Sequence, residues 1–327
     1  MKVLVTGGCG FIGHHFVEHL YVKTDYDIII LDKLTYATKG FDCFQDSRCY
    51  NTNRVKIFTY DLMQPISEGL IKEIGNVNYI IHMAAETHID NSIVNPVGVY
   101  MNNVSSTLNV LEYARKLKSL KLFFYFSTDE VYGYAPDNVA YKEEDRQRPT
   151  NPYSASKASG ESLCLAYENT YSIPIIIVNC MNAFGERQHI EKFIPKVIKS
   201  ILNDKEILIH SYPDCKRPGS RFYIHARNIS GAVLFLMTNG KIGERYNIVG
   251  EKEVDNLEIV LLISKLINKK ANYKLINFHK DRPGHDLRYA LDGEKLHSMG
   301  WSCPITFEKS LEKTVKWTLE HKEWLEW

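Results

Sequence analysis

Along the first 180 residues, short runs that are apolar at nearly every position alternate with longer stretches in which apolar residues recur at helical spacing. The runs are Lys2 to Thr6, Asp27 to Asp32, Val55 to Asp61, Asn78 to Ala84, Lys121 to Thr128 and Ile173 to Cys180. A strand with one wet face alternates polar and apolar positions. These runs do not, which is the pattern of strands covered on both faces. Between them lie helical stretches such as Val99 to Leu117 and Ser154 to Tyr171. Strand-helix alternation of this kind predicts an α/β fold with a doubly wound parallel sheet. After about Phe184 the pattern loosens. Pro213, Pro218, Gly219, Pro283 and Gly284 punctuate shorter periodic segments, which predicts a smaller C-terminal lobe, and Phe307 to Trp327 predicts an amphipathic helix docked on the surface.

Composition narrows the class. At 327 residues the chain can bury a full core as one large domain, or as one with a smaller lobe. A net charge of +1 and the lack of a basic block argue against a nucleic-acid partner. No run approaches the roughly 18 apolar residues of a membrane span. The opening run Lys2-Val3-Leu4-Val5 meets glycine at Gly7, too early for a signal sequence, and reads as a first strand. Seven scattered cysteines without a C-x-x-C spacing give no disulfide framework and no zinc site, so a reduced, cytoplasmic setting without metal is expected.

The candidate chemistry begins at Gly7-Gly8-Cys9-Gly10-Phe11-Ile12-Gly13, which follows the first strand and opens a helix. Gly7 permits a tight turn, Gly10 a close approach of backbone to pyrophosphate, and Gly13 close packing of helix on strand. A dinucleotide's phosphates would sit at that helix N-terminus, where free N–H groups and the helix dipole favour anions. Asp32 ends the second strand 19 residues after Gly13. A carboxylate there accepts both ribose hydroxyls and repels a 2′-phosphate, which favours NAD over NADP. Lys33 argues weakly the other way and reads more simply as a solvated loop lysine. Asp61 could bond the adenine amino group or cap the next helix, and the two readings weigh equally.

Further on, Tyr153-Ser154-Ala155-Ser156-Lys157 puts Tyr153 and Lys157 on one helical face. A free phenol, with a pKa of about 10, is no base at neutral pH, and a neighbouring ammonium is expected to lower that value. Tyr-x-x-x-Lys is common by chance. Here it follows a glycine turn and a strand ending Ser127-Thr128, and Asp129-Glu130 lies 23 residues before the tyrosine. The acid pair alone would read as a solvated loop. At the end of that strand it reads as an acid and a base.

These segments resemble the extended short-chain dehydrogenase/reductases, and more closely the nucleoside-diphosphate-glucose 4,6-dehydratases. The resemblance rests on Gly7 to Gly13, Leu31 to Tyr36, His82 to Asp90, Ser127 to Gly133, Asn151 to Lys157 and Asp281 to Asp286, with Thr128-Asp129-Glu130 as the discriminating triplet. It implies a Rossmann-like NAD-binding domain, residues 1–183 plus about 220–248, and a sugar-nucleotide lobe, about 184–219 and 249–327. It also implies that Tyr153 takes the proton of the glucose 4-hydroxyl as C4 gives hydride to NAD, while Thr128 holds the 4-oxygen and Lys157 supports Tyr153. Glu130 then removes the C5 proton, neutral Asp129 protonates the departing 6-hydroxyl, and hydride returns to C6. Cofactor contacts are implied for Gly7, Gly10, Phe11, Ile12, Gly13, Asp32, Lys33, Asp61, Ala84, Tyr153 and Lys157. Substrate contacts are implied for His88, Asn182, Glu191, Lys192, Arg221, Asn256, Arg282 and His285.

Three departures stand out. Asn179 replaces a usual arginine, Ala183-Phe184-Gly185 replaces Asn-Tyr-Gly, and Phe222 follows Arg221 where thymidine-type enzymes tend to have Asp. The missing Asp after Arg221, with Thr87 to Ser92, leans slightly toward UDP-glucose over dTDP-glucose. By the same resemblance, the stretches Val99 to Leu117 and Ser154 to Tyr171 would pair across a two-fold axis in a homodimer. A sugar-nucleotide epimerase or decarboxylase would keep Tyr153 and Lys157 but leave the acid pair unused. A GDP-mannose dehydratase usually lacks the Asp, and a non-catalytic NAD-binding sensor would typically have lost Tyr153 or Lys157.

Overall fold

The computed structural model describes residues 1–49, 51–277 and 286–326. The apolar runs form strands β1 (Lys2–Thr6), β2 (Asp27–Asp32), β3 (Val55–Thr59), β4 (Tyr79–His82), β5 (Leu122–Thr128) and β6 (Ile175–Cys180). Short strands follow: β7 (Ala183–Phe184), β8 (Ile207–His210), β9 (Ser220–Phe222), β10 (Ile224–His225), β11 (Arg245–Ile248), β12 (Glu253–Asp255) and β13 (Tyr273–Ile276). The helices are α1 (Phe11–Lys23), α2 (Glu68–Ile74), α3 (Ile89–Val94), α4 (Pro96–Arg115), α5 (Pro152–Tyr171), α6 (Phe193–Leu202), α7 (Ala226–Asn239), α8 (Asn256–Ile267), α9 (Glu294–Ser298) and α10 (Phe307–Glu320).

Seven strands make one all-parallel sheet in the order β11-β6-β5-β4-β1-β2-β3. The chain winds outward from β1 to β3, then crosses back to β4 and winds the other way. The switch point therefore lies between β1 and β4, where the outgoing loops part and leave a crevice at the strands' C-terminal ends. Side chains of alternate residues feed two cores. Val3, Val5, Ile28 and Ile30 pack with Phe16 of α1 and Val233 of α7, while Leu4, Ile29 and Ile80 pack with Val110 and Leu111 of α4 and Cys164 of α5. A third cluster, from Phe184 and Ile194 through Ile259 to Leu311 and Leu325, gathers the later segments beside the sheet. Burying each such side chain contributes roughly 1.5–3 kcal/mol.

Differences from the sequence pattern sit at element ends. α4 begins at Pro96 rather than Val99, because Asn95 caps it and Pro96 fills the first turn; α5 begins at Pro152 because Asn151 does the same. The C-terminal amphipathic stretch is not one helix. α10 ends at Glu320, His321 stacks on Trp317, and a separate single turn, Lys322–Leu325, follows. No helix among the described residues is long and apolar enough to cross a membrane, and all seven cysteines are free thiols.

Candidate active site

The glycine-rich turn is shaped by contacts that exclude side chains. Gly7 takes a left-handed φ of +70°, and a Cβ there would lie 2.7 Å from the Ala84 backbone. A Cβ on Gly13 would overlap the Gly7 carbonyl oxygen. Gly10 is the N-cap of α1 and offers no side-chain cap, so the first-turn N–H groups stay free for a ligand anion. Asp32 accepts the N–H of Cys9 and of Leu34, each at 2.9 Å, one on each oxygen. Those bonds hold its carboxylate at the edge of a cavity of about 290 Å³, which Gly7, Gly10, Phe11, Ile12, Gly13 and Asp32 all line. Ala84 and Asp61 line it too.

Two readings of this end change. Lys33 is not a solvated lysine: it lines the cavity and donates to Asn102 Oδ1 at 2.6 Å. Asp61 does not cap the next helix. It accepts the Met63 N–H at 3.0 Å in a turn, and Ser67 caps α2 instead.

The same cavity continues to the C-terminal end of β5. There Asp129 and Glu130 form a tight helical turn capped by Thr128, whose hydroxyl accepts the Glu130 N–H and donates to Asp129 Oδ1 at 2.9 Å. The pair is not a solvated loop, being 3% and 8% exposed. Asp129 Oδ2 is buried with no partner, and Glu130 Oε2 accepts from Asn151 Nδ2 at 3.4 Å. Asn151 is the N-cap of α5 in a reciprocal capping box with Ser154, so one residue both starts the helix and orients the second carboxylate. That start brings Tyr153 and Lys157 to the cavity wall.

Burial sets the electrostatics here. It raises Asp129 to about 6, against the Thr128 hydrogen bond, and raises Glu130 to about 8 with the help of the Asp129 charge. The pair therefore holds one proton at neutral pH, shared between two coupled groups. The direction at Tyr153 departs from expectation. Burial and the two carboxylates push its phenol up, opposed by the Thr128 hydrogen bond, where a lowering by Lys157 was expected. Burial lowers Lys157 to about 8.

Of the residues expected to hold substrate, Asn182, Glu191 and Lys192 line the cavity. His88 is not part of the lining, and its Nδ1 lies 3.6 Å from Glu191 Oε2. Arg221 and Asn256 are not part of the lining. Arg221 donates to the carbonyls of Ser220, Asp286 and Leu287 and stacks on Tyr289, while Asn256 accepts from the Tyr223 hydroxyl at 2.8 Å. Arg282 and His285 lie outside the described residues. Residues the sequence did not single out also line the wall, among them Gln188 and His189. Asn151 was readable as an Asn-Pro helix start but not as a carboxylate's partner. Among the described residues no cluster of His, Cys, Asp and Glu could hold a metal ion.

Comparison with known proteins gives the arrangement relatives. Residues 4–314 match the family described as GDP-mannose 4,6 dehydratase. The chain is 37% identical over 352 residues to dTDP-glucose 4,6-dehydratase 1 of Escherichia coli (strain K12), covering 100% of this chain and 95% of that one. The solved structure of DesIV, a dTDP-glucose 4,6-dehydratase from Streptomyces venezuelae with NAD bound, superposes with a TM-score of 0.89 at 31% identity, covering 99% of this chain and 98% of that one. A UDP-glucose 4-epimerase from Thermus thermophilus, 24% identical with a TM-score of 0.85 and covering 97% of this chain and 98% of that one, shares the fold.

Proposed function

The chain belongs to the GDP-mannose 4,6 dehydratase family, and from that premise we propose that it is an NAD-dependent hydro-lyase. It would convert dTDP-glucose to the 4-keto-6-deoxy sugar nucleotide. The observation that carries the reading is the buried Asp129–Glu130 pair in one cavity with Tyr153, Lys157 and the glycine turn. The slight lean to UDP-glucose has no support among the relatives, whose names specify dTDP-glucose. A 4-epimerase would use Tyr153 and Lys157 and leave two desolvated carboxylates without work, at a stability cost that only chemistry explains.

The residues present fit NAD. The Gly7 and Gly13 positions exclude any Cβ, the α1 N-terminus offers free N–H groups, and Asp32 faces the cavity as a carboxylate. What the dinucleotide supplies when bound is a reversible store for one hydride. Tyr153 would take the proton of the 4-hydroxyl as phenolate, a form that burial and the carboxylates disfavour in the free protein and that Lys157 and the positive ring of bound NAD would favour. Thr128, which already bonds Asp129, orients the 4-oxygen. Once C4 is a ketone the C5 hydrogen is acidic, so a carboxylate suffices to remove it. The pair's single proton goes to the departing 6-oxygen and the proton taken from C5 replaces it; when hydride returns to C6 that proton goes back to C5, and the proton held by Tyr153 restores the pair's. Asp129 gives and Glu130 takes, a division that requires the shared proton to stand on Asp129 when substrate is bound. Each such transfer contributes about 10²–10⁴-fold.

The division into a cofactor domain and a substrate lobe is part of the proposal, supported by the separate third core. So is a homodimer through α4 and α5, whose outer faces leave Val97, Met101, Leu108 and Leu165 exposed. Light scattering at the mass of a single chain would exclude the dimer. The activity itself is tested by incubating the protein with NAD and, separately, dTDP-glucose and UDP-glucose, followed by mass spectrometry. Loss of one water from dTDP-glucose in preference to UDP-glucose, with no net NADH, is the expected result. Both sugars returned unchanged would overturn the reading.

A further inference from the structure

Tyr153, Lys157 and Glu161 stand at i, i+4 and i+8 on α5, so their side chains share one face. Glu161 is 1% exposed and reaches under the ends of three strands. Its Oε1 accepts from Ser127 Oγ of β5 and from Asn179 Nδ2 of β6, the latter at 2.8 Å. Its Oε2 accepts from Gln147 at 2.6 Å and pairs with the Arg245 guanidinium of β11 at 2.7 Å. Arg245 is itself fixed by the Glu143 carbonyl at 2.9 Å. With Asn179 uncharged, the cation facing this carboxylate comes from the neighbouring strand.

One turn back, the Lys157 ammonium lies 4.4 Å from the centre of the Tyr125 ring and makes no direct ion pair among the described residues. Burial lowers it, and of the groups facing it Glu161 opposes that most, followed by Cys164 of the same helix. From β4 it faces His82, which burial and the lysine hold neutral at about 3, and from β5 the Tyr125 phenol, pushed up by burial. Tyr153 completes the line on α5.

We propose that Glu161, anchored by Arg245, is a positioning residue that counter-charges the Lys157 ammonium and holds it in line with Tyr153. A carboxylate one helical turn from the ammonium supplies negative charge without an ion pair that would pull it off Tyr153 and the cavity. The proposal rests on the role given above to Tyr153 and Lys157, but its test does not depend on turnover.

The test uses protein carrying carbon-13 at lysine Cε, with K157R identifying the Lys157 resonance, titrated by NMR without substrate. E161Q alone leaves Arg245, 20% exposed, without its carboxylate, so that any shift would mix the lost anion with an unpaired cation. The E161Q/R245M double variant removes both charges together and is checked for a native melting transition and circular dichroism before titration. Its Lys157 titration is expected to move down by about one pH unit or more, and the alkaline limb of dTDP-glucose turnover with it. E161D keeps a charge and is expected to titrate like the unaltered protein. A double variant whose Lys157 titrates unchanged, or an E161D shifted as far as the double variant, would overturn the proposal. A protein that turned over no sugar nucleotide would still report the titration, so failure of the activity and failure of this role are separate results.

Discussion

At the scale of single residues, the site is governed by desolvation more than by charge pairing. Asp129 raised to about 6 and Glu130 to about 8 leave one proton on the pair between those values. Below about 6 both carboxyls are protonated and no base remains. Above about 8 neither is, and Lys157 begins to lose its proton in the same range. Turnover is therefore expected to be bell-shaped, with apparent values that belong to the pair rather than to either residue. A flat profile across that interval would contradict this. E130Q is expected to lower turnover by about 10²–10⁴-fold. A carboxyl whose folded pKa is raised makes the protein less stable as pH rises through it. E130Q should therefore melt higher than the unaltered protein at alkaline pH, checked by calorimetry. These pKa directions were not legible in the sequence. The adjacency of Asp129 and Glu130 was, but depth of burial is a property of what packs around them.

At the scale of elements, α5 carries most of the chemistry, and its contact with β5 sets where that chemistry stands. Gly160 faces the sheet at the point where a Cβ would overlap the Tyr125 hydroxyl, and that hydroxyl donates to the Lys157 carbonyl at 3.2 Å. G160A gains about 1 kcal/mol in helix propensity but overpacks this contact at a cost of about 1–3 kcal/mol. The net expectation is a modest loss of stability together with a larger loss of turnover, since Tyr153 and Lys157 move with the helix. A variant with unchanged kcat would show that the contact does not position them. The helix itself was readable from its period and from Tyr153 and Lys157. Its partners were less so. Arg245 meets Glu161 only because β11 pairs with β6, a pairing between segments far apart in the chain. Arg221, a nucleotide contact by the resemblance, is held by the backbone carbonyls of Ser220, Asp286 and Leu287, partners its type does not announce.

At the scale of the whole molecule, the alternation of strands and helices was the most legible feature, because strands covered on both faces must be apolar throughout. What it could not show is the buried histidine content. Burial lowers His14 and His82 to about 3 and His15 well below its usual range. Glu186 is also depressed: burial opposes this, but hydrogen bonding to His225 outweighs it. Groups with depressed folded pKa values contribute stability above their unfolded values and lose it as pH falls. The melting temperature is therefore expected to fall as pH drops below about 6.5, the ordinary histidine value, well before general acid denaturation. A melting temperature constant down to the carboxylate range would contradict this. The central claim is that one cavity oxidises C4, removes water across C5 and C6, and restores the hydrogen at C6. The most direct measurement is incubation with NAD and dTDP-glucose deuterated at C4, followed by NMR and mass spectrometry of the product. The account predicts a product that has lost one water and carries the deuterium at C6. Deuterium still at C4, in unchanged sugar or in its C4 epimer, would contradict it.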